Sequence, residues 1–136
     1  MFLNRLTEEE KSIFLKLAIA VIQADGKLED KEKGFIADYC REMGIESYDV
    51  NEKVEYQELA EKIGKNSSDS VKRIFLLELT ALANVDGEFV KSEKSLIMTF
   101  AKKFGYGEDS LDNCLKVLDE YKVVSEKLMS LIQEGQ

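Results

Sequence analysis

Two related ten-residue segments share an Asp-Gly pair and a Glu-Lys pair at the same spacing, and this repetition constrains the fold more than any other feature of the sequence. Residues 24–33 read ADGKLEDKEK and residues 85–94 read VDGEFVKSEK, which is an offset of 61. The same offset pairs Ile36 with Ile97 and Gly44 with Gly105. Because the identities fall at a turn and on one helix face, the sequence predicts a duplicated helix-turn-helix unit.

The composition is typical of an all-α domain. The 136 residues include no proline, and glycines fall mostly between segments with helical apolar spacing, which suits a bundle with short connections. A chain of this length can bury its own core. We expect one compact helical bundle of about five to seven helices over residues 1–136, with repeats at about 8–45 and 69–106, a connector at 46–67 and a C-terminal helix at about 109–133.

Capping signals set the boundaries of the first repeat. Thr7 and Glu10 have the spacing of a capping box, so the first helix begins after Thr7 and ends near Ala24. The second helix covers about 29–43. Gly44 follows it as a stop signal.

Turn residues and apolar spacing also predict the helices of the connector and of the second repeat. A short helix over about 52–63 precedes the loop GKNSSDS, because Gly, Ser and Asn cluster there. The next helix begins near Asp69 and carries apolar residues around nearly its whole circumference, which predicts the most buried element. A further helix covers about 91–104.

Three further features of the chain carry a structural expectation. Glu78 is a lone carboxylate in the run IFLLELTAL, and we expect it at the solvent edge of its helix or paired with Lys or Arg, because an unpaired buried charge is costly. The last helix has an apolar stripe, which predicts closure of the core, with a partner-binding surface as the alternative. Cys40 and Cys114 are expected to be buried free thiols.

The repeated turns place Asp and Glu where the second half of an EF-hand loop has them. The first ligand position of that loop, however, is Val21 in one copy and Leu82 in the other, so one loop has too few oxygens for Ca²⁺. If the two loops lie close together, they pool four carboxylates. Such a set could hold Mg²⁺, Ca²⁺ or Mn²⁺; its members are Asp25, Glu32, Asp86 and Glu93.

The same residues also have a role that needs no metal. The two aspartates can accept hydrogen bonds from backbone N–H groups in the turn, and each glycine supplies a positive φ. The two glutamates then lie in the first turn of the next helix, where the helix dipole favours a carboxylate. The residue types leave both interpretations open.

The charge and the missing histidine exclude several function classes. A net charge of −8 opposes binding to nucleic acid and to anionic membranes. The chain has no histidine, which excludes imidazole zinc ligands and histidine acid–base catalysis. An enzyme with paired carboxylates is the least favoured reading, since no spacing indicates a cleft. Because the sequence shows neither a membrane span nor a signal peptide, we expect a cytoplasmic protein. We expect it to be non-enzymatic, with acidic loops that bind a divalent cation and/or a protein partner; the alternative is a purely structural protein-protein interaction domain with no metal site.

The segments QADGKLEDKE and NVDGEFVKSE each follow an apolar helix and open another. They resemble the doubled Ala-Asp-Gly…Glu signature of the TerB-like family, named after a tellurite-resistance protein, over about residues 15–106. The resemblance implies an all-α domain of two related halves. It also implies a divalent metal at the acidic cluster of Asp25, Glu32, Asp86 and Glu93, and a place in tellurite or general stress-response systems.

Overall fold

The chain forms six α-helices and one short 3-10 helix in the ranges that the computed structural model describes, which are residues 1–24, 26, 30–46, 48–84 and 90–133. These ranges contain no strand. The expected all-α, compact bundle of five to seven helices is confirmed. In chain order the 3-10 helix is Leu3–Arg5, and the α-helices are α1 (Glu8–Gln23), α2 (Asp30–Met43), α3 (Tyr56–Asn66), α4 (Asp69–Ala83), α5 (Lys91–Phe104) and α6 (Glu108–Gln133).

The pair α1–α2 and the pair α4–α5 have the same boundaries, to within one residue, after the offset of 61 is applied. Both pairs begin with a hydroxyl cap at the equivalent position. The Thr7 Oγ1 atom accepts a hydrogen bond from the Glu10 N–H group at 3.2 Å, and the Ser68 Oγ atom accepts one from the Val71 N–H group at 3.2 Å. The Thr7 N–H group also donates to Glu10 Oε1 at 2.9 Å, which completes the expected capping box.

The second helix of each pair ends at an equivalent glycine. Gly44 and Gly105 have φ values of 73° and 92°, which side chains other than that of glycine rarely allow. The N–H group of the next residue then reaches back to the helix. Ile45 donates to the Cys40 carbonyl at 2.9 Å, and Tyr106 donates to the Ala101 carbonyl at 2.8 Å, as in a Schellman motif.

The core is centred on α1 and α4. The helix α1 contacts α2, α3, α4 and α5, whereas α4 contacts α1, α2, α5 and α6, so α1 shares the central position expected for α4 alone. Phe14 and Phe75 occupy equivalent places on the two helices and are fully buried. Their rings meet edge to face with centroids 5.4 Å apart, a favourable arrangement for aromatic pairs.

The connector helix α3 lies later in the chain than the sequence predicted. Residues 64–66, which were expected in a loop, form its last turn. A Cβ atom at Gly64 would lie 2.1 Å from the backbone oxygen of Lys103 in α5. Gly64 therefore allows α3 and α5 to approach closely instead of ending the helix.

The two ends of the chain behave differently. The N-terminal segment buries Leu3 and Leu6, which the helical patterns did not predict. The helix α6 packs on α4 and α5 but fully buries only Leu111, so it closes the core through its first half alone. None of the helices in the described ranges is long and apolar enough to cross a membrane.

The two cysteines are free, but their surroundings differ. Cys40 is buried, as expected, whereas Cys114 on α6 is only half-buried. Burial raises the pKa of both thiols. Neither thiol is therefore activated as a nucleophile at neutral pH.

Candidate functional site

Two of the four candidate carboxylates occupy buried, equivalent positions. Glu32 lies in the first turn of α2 and Glu93 in the first turn of α5. Their exposed fractions are only 4% and 3%, and Glu93 Oε2 is withdrawn from solvent. Both side chains have interaction partners. The repeats therefore share a buried carboxylate beside the repeated turn.

The other two candidates, Asp25 and Asp86, lie outside the described residues. Gly26, which follows Asp25, has a φ of 76°, as expected for the first turn, whereas the equivalent Gly87 lies outside the described residues. Within the described ranges no three Cys, Asp or Glu side chains come together in a way that could hold a metal ion. The four-carboxylate cluster consequently stays a prediction.

A second acidic cluster was not anticipated from the sequence. The Met1 ammonium group lies 2.8 Å from Glu78 Oε2 and 3.1 Å from Glu42 Oε1. The backbone N–H group of Leu3 donates to Glu42 Oε2 at 2.8 Å, and that of Phe2 donates to Glu78 Oε2 at 3.3 Å. These contacts fix the N-terminal segment on α2 and α4.

The structure corrects the prediction for Glu78. This residue is not at the solvent edge, because it is 2% exposed, and among the residues that the structure describes its charged partner is the Met1 ammonium and not a Lys or Arg side chain. The counter-charge is a backbone terminus and not a side chain, so the pattern of Lys and Arg in the sequence does not indicate it. The available signal was the apolar run from Ile74 to Ala83 that surrounds Glu78, since a lone carboxylate inside such a run requires a counter-charge.

Burial and the charges of Glu78 and Glu42 shift the pKa values of two groups, the Met1 ammonium and Tyr39. Burial alone would lower the pKa of the Met1 ammonium, but the hydrogen bonds and negative charges of Glu78 and Glu42 outweigh it, so the pKa is raised above 8.0. Burial, assisted by the charges of Glu78 and Glu42, raises the pKa of Tyr39 well above 10.0. The Tyr39 hydroxyl remains a donor and bonds the Glu78 carbonyl oxygen at 3.1 Å.

The second half of α6 carries an exposed apolar face. Large apolar side chains that are at least half exposed follow one another from Val117 onwards: Val117, Tyr121, Val123, Val124, Leu128, Met129, Leu131 and Ile132. At the start of this stretch α6 borders a groove of about 450 Å³ that Phe35, Tyr39 and Leu118 line in part. Contiguous apolar surface of this kind is typical of an interaction site.

No protein-family model, curated protein or solved structure matches this chain. The TerB-like resemblance therefore rests on the doubled Asp-Gly…Glu segments and stays a prediction.

Proposed function

We propose that the chain is a non-enzymatic helical module of the TerB-like kind whose two acidic turns bind a divalent cation. The observation that carries the proposal is the burial of Glu32 and Glu93, at 4% and 3% exposure, in both repeats. The pathway that we propose with it, a tellurite or general stress response, comes from the family resemblance.

Burial is the informative property because a capping role does not require it. A carboxylate in the first turn of a helix gains from the helix dipole at the surface as well, and Glu108 and Asp109 in the first turn of α6 are exposed. A buried carboxylate, by contrast, must be compensated by hydrogen bonds or positive charge. A cation beside the turns would add such compensation.

The donor set defines the class of ion. Asp25 and Asp86 would add two carboxylates to those of Glu32 and Glu93, and oxygen ligands of this type select Mg²⁺, Ca²⁺ or Mn²⁺. Zn²⁺ is disfavoured because the chain has no histidine and zinc sites usually use nitrogen or sulfur ligands.

Thermal unfolding with each ion tests the proposal. At ten times its Kd an ion stabilises the folded state by about 1.4 kcal/mol, which raises the Tm by about 5 °C for a chain of this size. The variant Asp25→Asn/Asp86→Asn should lose this rise. The control Glu108→Gln/Asp109→Asn removes the same charge from an exposed first turn and should keep it.

Two results would contradict the cation proposal. One is that no ion raises the wild-type Tm at millimolar concentration. The other is that the wild type, the turn variant and the control respond equally, which would indicate non-specific binding to an acidic protein.

The second candidate function is a structural protein-protein interaction domain without a metal site, and the exposed apolar face of α6 favours it. In that case the two aspartates act as turn residues only. The variant Asp25→Asn/Asp86→Asn should then lose the same stability in the presence of a chelator as in the presence of metal. A loss that appears only with metal would favour the cation site.

A further inference from the structure

The exposed residues of α6 follow the spacing of a coiled-coil seam. Steps of three and four residues alternate along a set that we call the α6 seam: Cys114, Val117, Tyr121, Val124, Leu128 and Leu131. Such a set occupies the a and d positions of successive heptads. Five of its six members are between 52% and 66% exposed.

From Val117 onwards the seam lies on a different side of α6 from the residues that contact the bundle, whereas its first member, Cys114, packs against the core. Leu111 is buried, and Leu115 and Leu118 are half-buried. At 100° per residue, the seam is centred roughly 110° around the helix axis from that contact line. Packing on α4 and α5 therefore leaves the seam accessible along the second half of α6.

The charges beside the seam are self-complementary in one orientation only. Glu120 and Lys127 both occupy g positions of the heptads. In an antiparallel pair that places Tyr121 opposite Val124 of a second copy, Glu120 lies opposite Lys127 of that copy, and the reverse pair forms by symmetry. In a parallel pair Glu120 would face Ser125, and Lys127 would face Ile132, so no opposite charges meet.

We propose that α6 pairs antiparallel with α6 of a second copy of this chain through the α6 seam. The paired segment of 18 residues, Cys114 to Leu131, is about 26 Å long. This length gives a buried area near the lower end for specific interfaces, about 1,200 Å² in total. Because α6 is already helical and anchored on the bundle, little conformational entropy opposes pairing, and we expect a reversible dimer with a micromolar Kd.

Sedimentation velocity of the full chain, from about 1 µM to about 500 µM so as to bracket a micromolar Kd, tests self-association. The wild type should change from monomer to dimer. Leu128→Glu should remain monomeric, because it buries two charges in the seam. The matched control Val123→Glu introduces the same charge at an exposed apolar residue outside the seam and should leave the dimer intact.

Charge reversal tests the antiparallel orientation. Glu120→Lys and Lys127→Glu should each weaken the dimer about tenfold, since two attractive pairs become repulsive, and the double variant should regain the wild-type Kd. Net charge cannot explain this pattern, because the two single variants change it in opposite directions. A parallel pair predicts no loss and no recovery.

Each outcome decides the inference. A wild type that stays monomeric at the highest concentration overturns self-association and leaves a helix of a different protein as the occupant of the seam. A dimer that survives Leu128→Glu lies elsewhere on the surface. Single reversals without loss, or a double variant without recovery, overturn the antiparallel arrangement. None of these measurements depends on the proposed cation site, and all can be made with a chelator present.

Discussion

The two repeats share their helix boundaries, hydroxyl caps and terminal glycines, yet one buried position is apolar in the first repeat and charged in the second. Leu17 in α1 is fully buried, and the equivalent residue in α4 is Glu78, which is 2% exposed. The charge is tolerated in α4 because the Met1 ammonium lies 2.8 Å away. A duplicated framework can therefore hold opposite chemistries at matched sites when an outside segment reaches only one of them.

The neighbouring helices show the same asymmetry. Tyr39 in α2 corresponds to Phe100 in α5, and both are buried. The additional hydroxyl of Tyr39 bonds the Glu78 carbonyl oxygen, whereas Phe100 packs edge to face on Tyr56 with ring centroids 5.8 Å apart. This polar contact between the repeats thus lies beside the site where the N-terminal segment binds.

Exchanging the residues at the differing position should give the largest effects. Leu17→Glu is expected to cost about 3–5 kcal/mol in unfolding free energy, because it places a charge in an apolar core without the ammonium that serves Glu78. Glu78→Leu should cost less, since the Met1 ammonium that it leaves behind is 42% exposed and keeps Glu42 as a partner at 3.1 Å. Urea unfolding measures both, and equal losses would contradict the proposed role of Met1.

Replacing each of two helical glycines with alanine should distinguish close helix packing, at Gly64, from helix propensity alone, at Gly34. Gly64→Ala is expected to cost about 1–3 kcal/mol, because the Cβ meets the Lys103 backbone oxygen. The control Gly34→Ala, on the exposed side of α2, meets no described atom within 4 Å and should gain about 0.5–1 kcal/mol. If both variants are stabilised in urea unfolding, α3 and α5 do not pack as closely as described.

Removing the two hydroxyl caps compares the starts of the repeats. Thr7→Ala and Ser68→Ala should each cost about 1 kcal/mol. The loss at Thr7 should be the larger, because Glu10 completes a capping box there, whereas Val71 at the matching position cannot. Thermal unfolding of the two variants measures the difference, and the reverse order would show that the box adds nothing to the first repeat.

Neutralising the Met1 ammonium by raising the pH should give the smallest loss of unfolding free energy among these changes. The folded-state pKa of the Met1 ammonium is raised above 8.0, so its stabilisation is complete below pH 8 and is lost as the pH rises through the folded value. The group is 42% exposed, so we expect no more than about 1 kcal/mol. The measurement is urea unfolding of the unmodified chain and its Nα-acetylated form at pH 7–9.5 (about the range of an α-amino group).

The acetylated form serves as the internal control for this experiment. Both forms contain Tyr39, Cys40 and Cys114, whose raised pKa values also reduce stability at high pH, so these contributions cancel in the difference. A difference between the two forms that is independent of pH would contradict the role of the ammonium charge.

Local patterns were sufficient to predict most of the fold. The offset of 61, the capping signals and the apolar spacing together gave the boundaries of α1, α2, α4 and α5 within about two residues. The connector was less predictable, because Gly64 looks like a stop signal unless its contact with Lys103 is known. Such a contact joins residues far apart in the chain, and periodicity does not report it.

The candidate site was predictable only in part. Glu32 and Glu93 were selected from their place in the repeat, but their burial depends on how the helices pack. Glu78 was recognised as unusual, and its partner was missed because the first six residues carry no helical pattern. The exposed stripe of α6 has the same apolar spacing as a core helix, so the sequence alone could not show which part of it lies beyond the bundle.

The attachment of the N-terminus to α4 has a consequence for synthesis of the chain. Met1 and Phe2 bind Glu78, which is 77 and 76 residues away. At about 5–20 residues per second, a ribosome needs roughly 4–15 s to reach Glu78 after adding Phe2. Met1 and Phe2 are therefore made several seconds before their binding site on α4, and their contacts with Glu78 can form only after α4 has been synthesised.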